Sequence, residues 1–292
     1  MTEEIVDFDV ARLKMKKWRD DIERNSEEIV EYGECLIAEY ANKLGDELWV
    51  LYEQVCLAAL DCCRLDLAEE CLIALHKQFP RSSRVNKLQG MYHEARGDYG
   101  NAETLYNAML KDDPSNLIIR KRLIAIKKAS NKYEETIEQL NLYLNDFMAD
   151  QEAWMELSEL YIHQQEFPKA AFCMEEMILS HPHNHLYHQR YAEIQFTIGT
   201  SESIEKAKKY FAQALKLDPS NMRALYGLFL TSSNTAQNKS ATGTKKKSIS
   251  LSQWTANQIA DIYDSHLNGN QKNTITDMFE SLQITLPATI PE

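Results

Sequence analysis

The sequence has few residues that break helices and no long apolar run. Among 292 residues there are only 9 glycines and 7 prolines, fewer than a loop-rich protein of this length contains. No run of about 18 apolar residues occurs, so no membrane-spanning helix is predicted. The acidic start, Met1-Thr2-Glu3-Glu4, does not have the basic and apolar regions of a signal peptide. These absences predict a soluble, helical chain that stays in the cytosol.

Positive charge is scarce as well. The chain carries 32 Lys and Arg residues against 44 Asp and Glu residues, which gives a formal net charge of -12 at pH 7. A surface of this sign repels a phosphate backbone, so nucleic acid is excluded as the main partner. The hydrophobic share of 44% is sufficient for a folded core. The composition therefore favours a folded protein that does not bind nucleic acid.

The cysteines lack the paired spacing of a metal site. Cysteine ligands of zinc usually come in closely spaced pairs separated by two to four residues, and the cysteines here have no such spacing. The six residues, all within segments of helical periodicity, are Cys35, Cys56, Cys62, Cys63, Cys71 and Cys173. We therefore expect reduced thiols, with no metal and no cofactor.

A ladder of prolines marks an internal repeat. The interval from Pro80 to Pro114 defines its period, and the interval from Pro114 to Pro182 is twice as long. Pro219 follows Pro182 after a slightly longer interval. A missing proline at Met148 and a three-residue insertion account for the two irregular steps. The period, about 34 residues, is typical of tetratricopeptide repeats, in which each unit is a pair of helices.

Small residues recur twelve positions before each step of the ladder, where two helices must approach closely. They are Ala68, Ala102, Thr136, Ala170 and Ala207. A larger residue such as Phe211 follows four positions later and would fill the gap between the helices. Trp154 and Tyr161 belong to the unit that follows the pattern at nearly every position. We predict that these residues pack the repeats.

The pattern predicts an all-α tetratricopeptide-repeat solenoid, a right-handed superhelix of helix-turn-helix units with capping helices at both ends. Capping helices occupy 1–48, the repeats occupy 49–221, and a tail occupies 286–292. The five units are 49–82, 83–116, 117–150, 151–184 and 185–221. A degenerate sixth repeat and a C-terminal cap, including a short amphipathic segment at its end, occupy 222–285. A mobile loop is predicted at about 232–247 because that stretch is rich in Ser, Thr, Asn and Lys.

Two helices are predicted before the repeats. Trp18 lies in the first of them, and Asn25 or Ser26 can N-cap the second. One side of the second helix is lined by Ile29, Cys35, Leu36, Tyr40 and Leu44. An array needs such caps because each unit buries its apolar face only against its neighbour.

Few residues suggest chemistry. Four of the eight histidines lie in 181–188, where His185 and His188 could share a helix face. No cysteine lies nearby, so we interpret the segment as a polar turn between repeats and keep a metal site as the alternative. Glutamates such as Glu156 are abundant, but paired catalytic carboxylates need a pocket that raises one pKa. No phosphate loop or nucleophile elbow occurs, so we predict no catalytic residue.

First-helix positions of such an array line its concave groove, and the repeat phase places eleven candidates for partner contact there. They are Arg84, Lys87, Met91, Lys121, Arg122, Met155, Glu156, Glu159, Gln189, Arg190 and Glu193. The cations at Lys121 and Arg122 suit an acidic peptide tail or lipid headgroups, and a solvated helix is the competing interpretation. Glu53, Leu57 and Leu88 occupy positions where chaperone-binding repeats carry Lys and Asn. A chaperone carboxylate is therefore disfavoured as the ligand.

Several segments carry a more specific resemblance than the repeat pattern does. They include Met15-Lys16-Lys17-Trp18-Arg19, Asn25-Ser26-Glu27-Glu28-Ile29-Val30, Tyr52-Glu53-Gln54-Val55, Ala170-Ala171-Phe172-Cys173, Tyr210-Phe211-Ala212-Gln213-Ala214-Leu215-Lys216-Leu217 and Leu282-Gln283-Ile284-Thr285. In these segments the chain resembles the subunit 2 family of the endoplasmic reticulum membrane protein complex. The likeness covers nearly the whole chain, includes the capping helices, and is weakest in 234–250 and the last seven residues.

The resemblance implies a non-catalytic scaffold on the cytoplasmic face of the endoplasmic reticulum membrane, in an insertase for tail-anchored and multipass proteins. In that family the subunit holds segments of membrane subunits such as 3 and 5 and binds the soluble subunit 8 or 9. The chain would then reach the membrane only through its partners, within a hetero-oligomer. Two other functions stay open: a free adaptor for peptide tails of chaperone or trafficking factors, and an enzyme or metal protein built around the histidines.

Overall fold

The structure is a computed structural model that describes residues 7–238 and 242–266, and every regular element in those residues is an α-helix. The helices are α1 (Phe8–Asp20), α2 (Ser26–Leu44), α3 (Glu47–Asp61), α4 (Leu65–Gln78), α5 (Ser83–Ala95), α6 (Tyr99–Asp112), α7 (Leu117–Ala129), α8 (Tyr133–Asp146), α9 (Gln151–His163), α10 (Phe167–Ser180), α11 (His185–Ile198), α12 (Ser201–Leu217), α13 (Met222–Asn238) and α14 (Thr242–His266). Short connections join α3 to α4 and each later pair through α11 and α12. The sequence period therefore corresponds to a period of paired helices.

The connection inside each pair from α3–α4 to α11–α12 turns at a residue with a left-handed backbone. These residues recur at the period of the proline ladder, at Cys63 (φ 57°), Gly97 (φ 75°), Asn131 (φ 57°), Gln165 (φ 61°) and Gly199 (φ 76°). In the second pair, for example, the amide of Asp98 donates to the carbonyl of His93 at 2.9 Å. This bond closes a Schellman-type helix end and reverses the chain within a short turn.

Asparagine and aspartate side chains begin the first helix of successive pairs. Asn116 Oδ1 accepts from the backbone amide three residues later at 3.3 Å, and Asp150 Oδ1 does the same at 3.3 Å. Asn184 and Asn221 cap α11 and α13 in a similar way. Asp150 lies two residues after Met148, where the proline ladder is interrupted. An N-cap thus starts this helix without the proline, because it supplies an acceptor for an otherwise unpaired amide.

The chain divides into two compact units, Met1–Thr136 and Ile137–Glu292. The division falls inside α8, and so within the predicted repeat 117–150. The repeat period predicts 117–150 as one unit, because the helices of this segment begin and turn at the same positions of the period as the helices of its neighbours. The division into units depends instead on contacts between helices, which the period does not encode.

In the first unit, α1 and α2 share one apolar core with α3, α4 and α5. Trp18, Ile29 and Leu36 are buried in this core. Gly33 of α2 lies so close to Val55 of α3 that an added Cβ would overlap the valine. Asn25 precedes α2, but its side chain makes no capping hydrogen bond and donates instead to Glu23 Oε2 at 3.3 Å.

Two apolar clusters pack helices of the described part of the second unit. One surrounds Ala170 and Met174 of α10 and includes Tyr191 of α11. The other is built on α12, α13 and α14 and includes Phe211 and Ile259. The last described helix pair therefore packs on its predecessor through the same kind of apolar contact as the earlier pairs.

The predicted mobile loop at about 232–247 is wrong over most of its length, since α13 continues to Asn238 and α14 begins at Thr242. Residue composition is a weak guide here because packing overrides it. Ser232 is fully buried in α13, although its Oγ has no hydrogen-bond partner among the described residues. Residues 239–241 lie outside the described residues, as do the predicted amphipathic segment at 275–282 and the tail at 286–292.

Candidate partner-binding surfaces

The residues predicted to pack the repeats are buried or half-buried. Exposure is 0% for Ala68, Ala102, Ala170 and Ala207. Phe211 is 2% exposed and lies against Gly227, where an added Cβ would overlap its ring. Trp154 and Tyr161 are half-buried and pack against the cluster of α10. The four alanines and Phe211 are thus enclosed by the chain itself, whereas Trp154 and Tyr161 keep part of their surface exposed.

On α5, the predicted contact residues differ in solvent exposure. The guanidinium of Arg84 forms a bidentate ion pair with Glu53 of α3, at 2.5 and 3.2 Å, while Arg84 remains 72% exposed. Lys87 is half-buried, and Met91 packs at the edge of the first core. Glu53, the residue that disfavours a chaperone carboxylate, is therefore compensated by Arg84.

Arg122 is held within the fold. Its Nη1 donates to Glu94 Oε2 at 2.9 Å, and Glu94 Oε1 accepts a 2.5 Å hydrogen bond from the Tyr106 hydroxyl. Arg122 Nε is buried and finds no hydrogen-bond partner among the described residues. Burial and the Glu94 carboxylate raise the pKa of Tyr106 well above its usual value. This network joins α5, α6 and α7, and repeat phase alone did not reveal it.

Other cations of α7 are also partly compensated. Lys127 Nζ lies 2.8 Å from Glu135 Oε2, and Arg120 Nε donates to a backbone carbonyl at 3.0 Å. Lys121 is half-buried and makes polar contacts as well. The cations of α7 therefore do not form an uncompensated positive surface.

In the second unit, α9 presents a mixed apolar and acidic face. Met155 is 40% exposed, Glu159 is exposed and Glu156 is half-buried. Met155 and Glu159 are four residues apart and therefore lie one above the other on the helix. Among the predicted contact residues of this unit, these two are the most accessible.

On α11, the predicted residues form a closed hydrogen-bond network. Gln189 is only 6% exposed; its Oε1 accepts from Asn221 Nδ2 at 2.9 Å, and its Nε2 donates to Glu193 Oε1 at 2.9 Å. Glu193 also pairs with Arg190 at 3.2 Å and with Arg223 at 3.1 Å. Gln189 therefore links α11 to the start of α13, and the carboxylate of Glu193 is compensated by two arginines.

A groove of about 450 Å³ opens in the first unit between the α1–α2 turn, α3 and α5. We call it the N-terminal groove. Its main apolar lining is Trp18, Ile22, Ile29, Val50, Leu57 and Met91. The charged side chains at its rim are Arg19, Glu23, Arg24, Glu53, Asp61 and Arg84. Of these residues, only Arg84 and Met91 were predicted to contact a partner. The helices α1 and α2 were interpreted as caps, and no residue of α3 was among the predicted contacts.

The histidine cluster does not form a metal site. In 7–238 and 242–266, no group of three or more His, Cys, Asp or Glu side chains is arranged to hold a metal ion. His185 Nδ1 lies 2.9 Å from Asn221 Nδ2, whereas His188 Nε2 lies 2.8 Å from Pro182 O. The two rings predicted to share a face thus bond to different partners.

All six cysteines are free thiols. Burial raises the pKa of Cys56, Cys71 and Cys173 to about 12. These three thiols are therefore protonated at neutral pH, and a protonated thiol is neither a nucleophile nor a metal ligand.

Over 7–238 and 242–266, no helix combines the length and the apolar character that crossing a bilayer requires.

Comparison with known proteins identifies similar chains. The family model described as "EMC2 TPR-like repeat domain" matches residues 71–215. ER membrane protein complex subunit 2-A of Xenopus laevis is 48% identical over 288 residues, which cover 95% of this chain and 97% of the relative. ER membrane protein complex subunit 2 of Dictyostelium discoideum is 28% identical and covers 89% of this chain and 84% of the relative.

A solved structure shows the same kind of fold. The C-terminal part of a TPR repeat-containing protein from Cytophaga hutchinsonii matches with a TM-score of 0.63 at 15% sequence identity, covering 93% of this chain and 98% of that chain. At this identity the match concerns the fold alone. Together with the helix pairs, it confirms the predicted all-α tetratricopeptide fold class.

Proposed function

We propose that this chain, which belongs to the subunit 2 family of the endoplasmic reticulum membrane protein complex, is a non-catalytic scaffold subunit of that complex. The observation that carries the proposal is the 48% sequence identity to the Xenopus laevis subunit, which extends over 95% of this chain. The sequence resemblance predicted from the capping and repeat segments is confirmed by the same comparison. Contacts and ion pairs between helices, such as those of Arg122 and Gln189, hold the described helices in place, as a scaffold requires.

In this proposal the chain lies on the cytoplasmic face of the endoplasmic reticulum membrane as a peripheral subunit. It supports the insertion of tail-anchored and multipass proteins by holding segments of partner subunits. The candidate partners are membrane subunits such as 3 and 5 and the soluble subunit 8 or 9, in a hetero-oligomer. Because a net charge of -12 opposes adsorption to anionic lipid, membrane association would depend on those partners.

The physical basis of the scaffold is a surface that is shaped before a partner arrives. In the second unit, the Gln189 network fixes α11 against the start of α13. In the first unit, Arg122 and Glu94 join α7 to α5. A partner segment loses conformational freedom when it binds, but a preorganised surface adds no further entropic cost of its own.

The α9 face provides the test of this proposal. We would express the tagged full-length chain in cells that lack the endogenous protein and isolate it from a detergent extract. The variant Met155→Lys with Glu159→Lys alters two accessible neighbours on α9. Its matched control is Leu179→Lys on α10, because Leu179 is 75% exposed and lies outside the predicted contact set.

We expect the wild-type chain and Leu179→Lys to co-isolate with the subunits of the complex, and the α9 variant to co-isolate several-fold less at an unchanged melting temperature. Undiminished co-isolation of the α9 variant would remove this face from the proposal. A wild-type chain found only as a monomer, with no complex subunits, would overturn the scaffold function and favour the free adaptor.

A further inference from the structure

Ile22 in the N-terminal groove is unfavourable for folding in two respects. It lies in the α1–α2 turn with φ 55°, and its side chain is 89% exposed. A left-handed backbone crowds a β-branched side chain, and exposure leaves that side chain in water. Glycine or asparagine would fit the turn with less strain. The stability of the first unit alone therefore does not account for isoleucine at this position.

Two further apolar side chains beside Ile22 extend the exposed surface. Val50 is 42% exposed and Leu57 is 37% exposed. They are two helical turns apart and therefore lie on one face of α3. Trp18 and Ile29, which are 7% and 5% exposed, line the groove beneath them. The groove thus has a largely buried apolar floor and an apolar edge that faces water within the described chain.

Polar contacts hold the walls of the groove in place. Asp61, at the end of α3, accepts two hydrogen bonds from Arg24 at 2.6 and 2.8 Å and one from Ser26 Oγ at 2.9 Å. Gln54 Nε2 donates to Met15 O at 3.1 Å. These bonds tie the α1–α2 turn and α1 to α3. The groove is therefore formed before any occupant arrives.

The rim of the groove is electrically balanced. Arg24 is paired with Asp61 and Arg84 with Glu53, and Arg19 and Glu23 add one charge of each sign. A balanced rim gives no net attraction to an acidic tail or a basic tail, whereas an apolar floor attracts apolar side chains. The complementary occupant therefore presents an uncharged apolar stripe.

The secondary structure of the occupant follows from the backbone of the groove. The walls are helices, whose amides and carbonyls are already paired within each helix. An extended peptide would bring unpaired backbone groups against these walls, but a helix satisfies its own. An amphipathic helix with large apolar side chains at helical spacing is thus the occupant that suits the groove.

We propose that the N-terminal groove docks an amphipathic helix of a partner protein through two or three large apolar side chains that cover Ile22, Val50 and Leu57. This inference rests on the proposed scaffold function and extends the docking surface from the first repeat to the α1–α2 turn, which the sequence indicated only as part of a cap. The occupant is recognised by its apolar stripe and its helical backbone.

The test uses the purified full-length chain and a defined probe. The probe is a dye-labelled 18-residue helical peptide of zero net charge with leucines at positions 4, 8, 11 and 15, which form one stripe. The control peptide has the same composition with the leucines spread around the helix. Binding is measured by fluorescence anisotropy.

The groove variant is Leu57→Asp, and its matched control is Leu13→Asp, because Leu13 is 67% exposed on α1 and does not line the groove.

We expect saturable binding of the striped peptide, at least about tenfold weaker binding of the control peptide, and at least about tenfold weaker binding to Leu57→Asp, which corresponds to about 1.4 kcal/mol. Leu13→Asp should bind as the wild type does. Circular dichroism establishes that both variants are folded. If Leu57→Asp unfolds, Leu57→Ser replaces it in the same titration.

Several results would overturn the inference. One is no binding of the striped peptide, another is equal binding of both peptides, and a third is equal loss in both variants. Binding to vesicles of phosphatidylcholine and phosphatidylserine without binding to the peptide would identify a lipid surface instead.

Co-isolation with the complex is measured separately. A chain that joins the complex but does not bind the peptide refutes the groove and keeps the scaffold, and the reverse result refutes the scaffold alone.

Discussion

The ring of Tyr106 fills the space that Gly90 leaves on the neighbouring helix. A Cβ built on Gly90 would overlap the ring and would lie 2.7 Å from the phenol oxygen. That oxygen donates to Glu94, which also binds Arg122. A side chain as small as a methyl group at position 90 therefore disturbs the contact between α5 and α6 and the polar network attached to it.

We predict that Gly90→Ala lowers the free energy of unfolding by about 1–3 kcal/mol, because overpacking displaces the tyrosine. Alanine in a helix is otherwise favoured over glycine by up to about 1 kcal/mol. Gly100→Ala on α6 is the matched control, since nothing lies within 4 Å of an added Cβ there, and it should stabilise the protein. Urea denaturation measures both variants, and a stabilised Gly90→Ala would contradict the prediction.

A second prediction concerns the packing alanines. Ala207 of α12 is fully buried, so Ala207→Leu should separate the helices and lower the free energy of unfolding by about 1–3 kcal/mol. Ala212 on the same helix is exposed, and Ala212→Leu should change it by less than about 0.5 kcal/mol. Equal melting temperatures for the two variants would show that the repeat phase is wrong.

A third prediction concerns the strained turn of the N-terminal groove. Ile22→Gly should raise the free energy of unfolding by about 1 kcal/mol, because glycine adopts the left-handed backbone without crowding. Ile73 is 63% exposed in the middle of α4, and Ile73→Gly should lower it by roughly 0.5 kcal/mol. Chemical denaturation of both variants decides the sign. A loss of stability in Ile22→Gly would mean that the isoleucine side chain stabilises the turn.

A fourth prediction follows from the ion pair that closes the groove. Hydrogen bonds from Arg24 and from Ser26 lower the pKa of Asp61. A carboxylate with a lowered pKa in the folded state stabilises the protein above the unfolded value near 4. This contribution is lost as the pH falls through the folded value. The pair is solvent-accessible, so its contribution is below about 1 kcal/mol.

Asp61→Asn should therefore lower the free energy of unfolding at pH 7, and this difference from the wild type should shrink as the pH falls through the folded pKa of Asp61 and the native carboxylate becomes protonated. Urea denaturation of both proteins from pH 7 downward provides the measurement. About 1 M salt should reduce the difference at pH 7 because it screens an exposed pair. A difference that persists at low pH would assign the effect to packing.

The turns show how far local rules extend. Glycine and asparagine favour a left-handed backbone, so Gly97, Asn131 and Gly199 mark three turns in the series. Cys63 and Gln165 adopt the same conformation without that preference, and the series was therefore not evident from residue type. The composition of 232–247 led to the opposite error, because a stretch rich in loop-favouring residues can still be helical where it packs, as buried Ser232 in α13 does.

The sequence by itself determined the paired helices, the regular period at which they recur, the small residues at their contacts and the family to which the chain belongs. These features follow from neighbouring residues, since helix starts, turns and apolar spacing are local. Only the tertiary structure decided which predicted contact residues are available. Arg122 and Gln189 bind partners on other helices, and Ile22 of the α1–α2 turn is brought to the same groove as Met91 of α5. Ion pairing, burial and groove shape depend on side chains that folding brings together, and the repeat period carries no information about them.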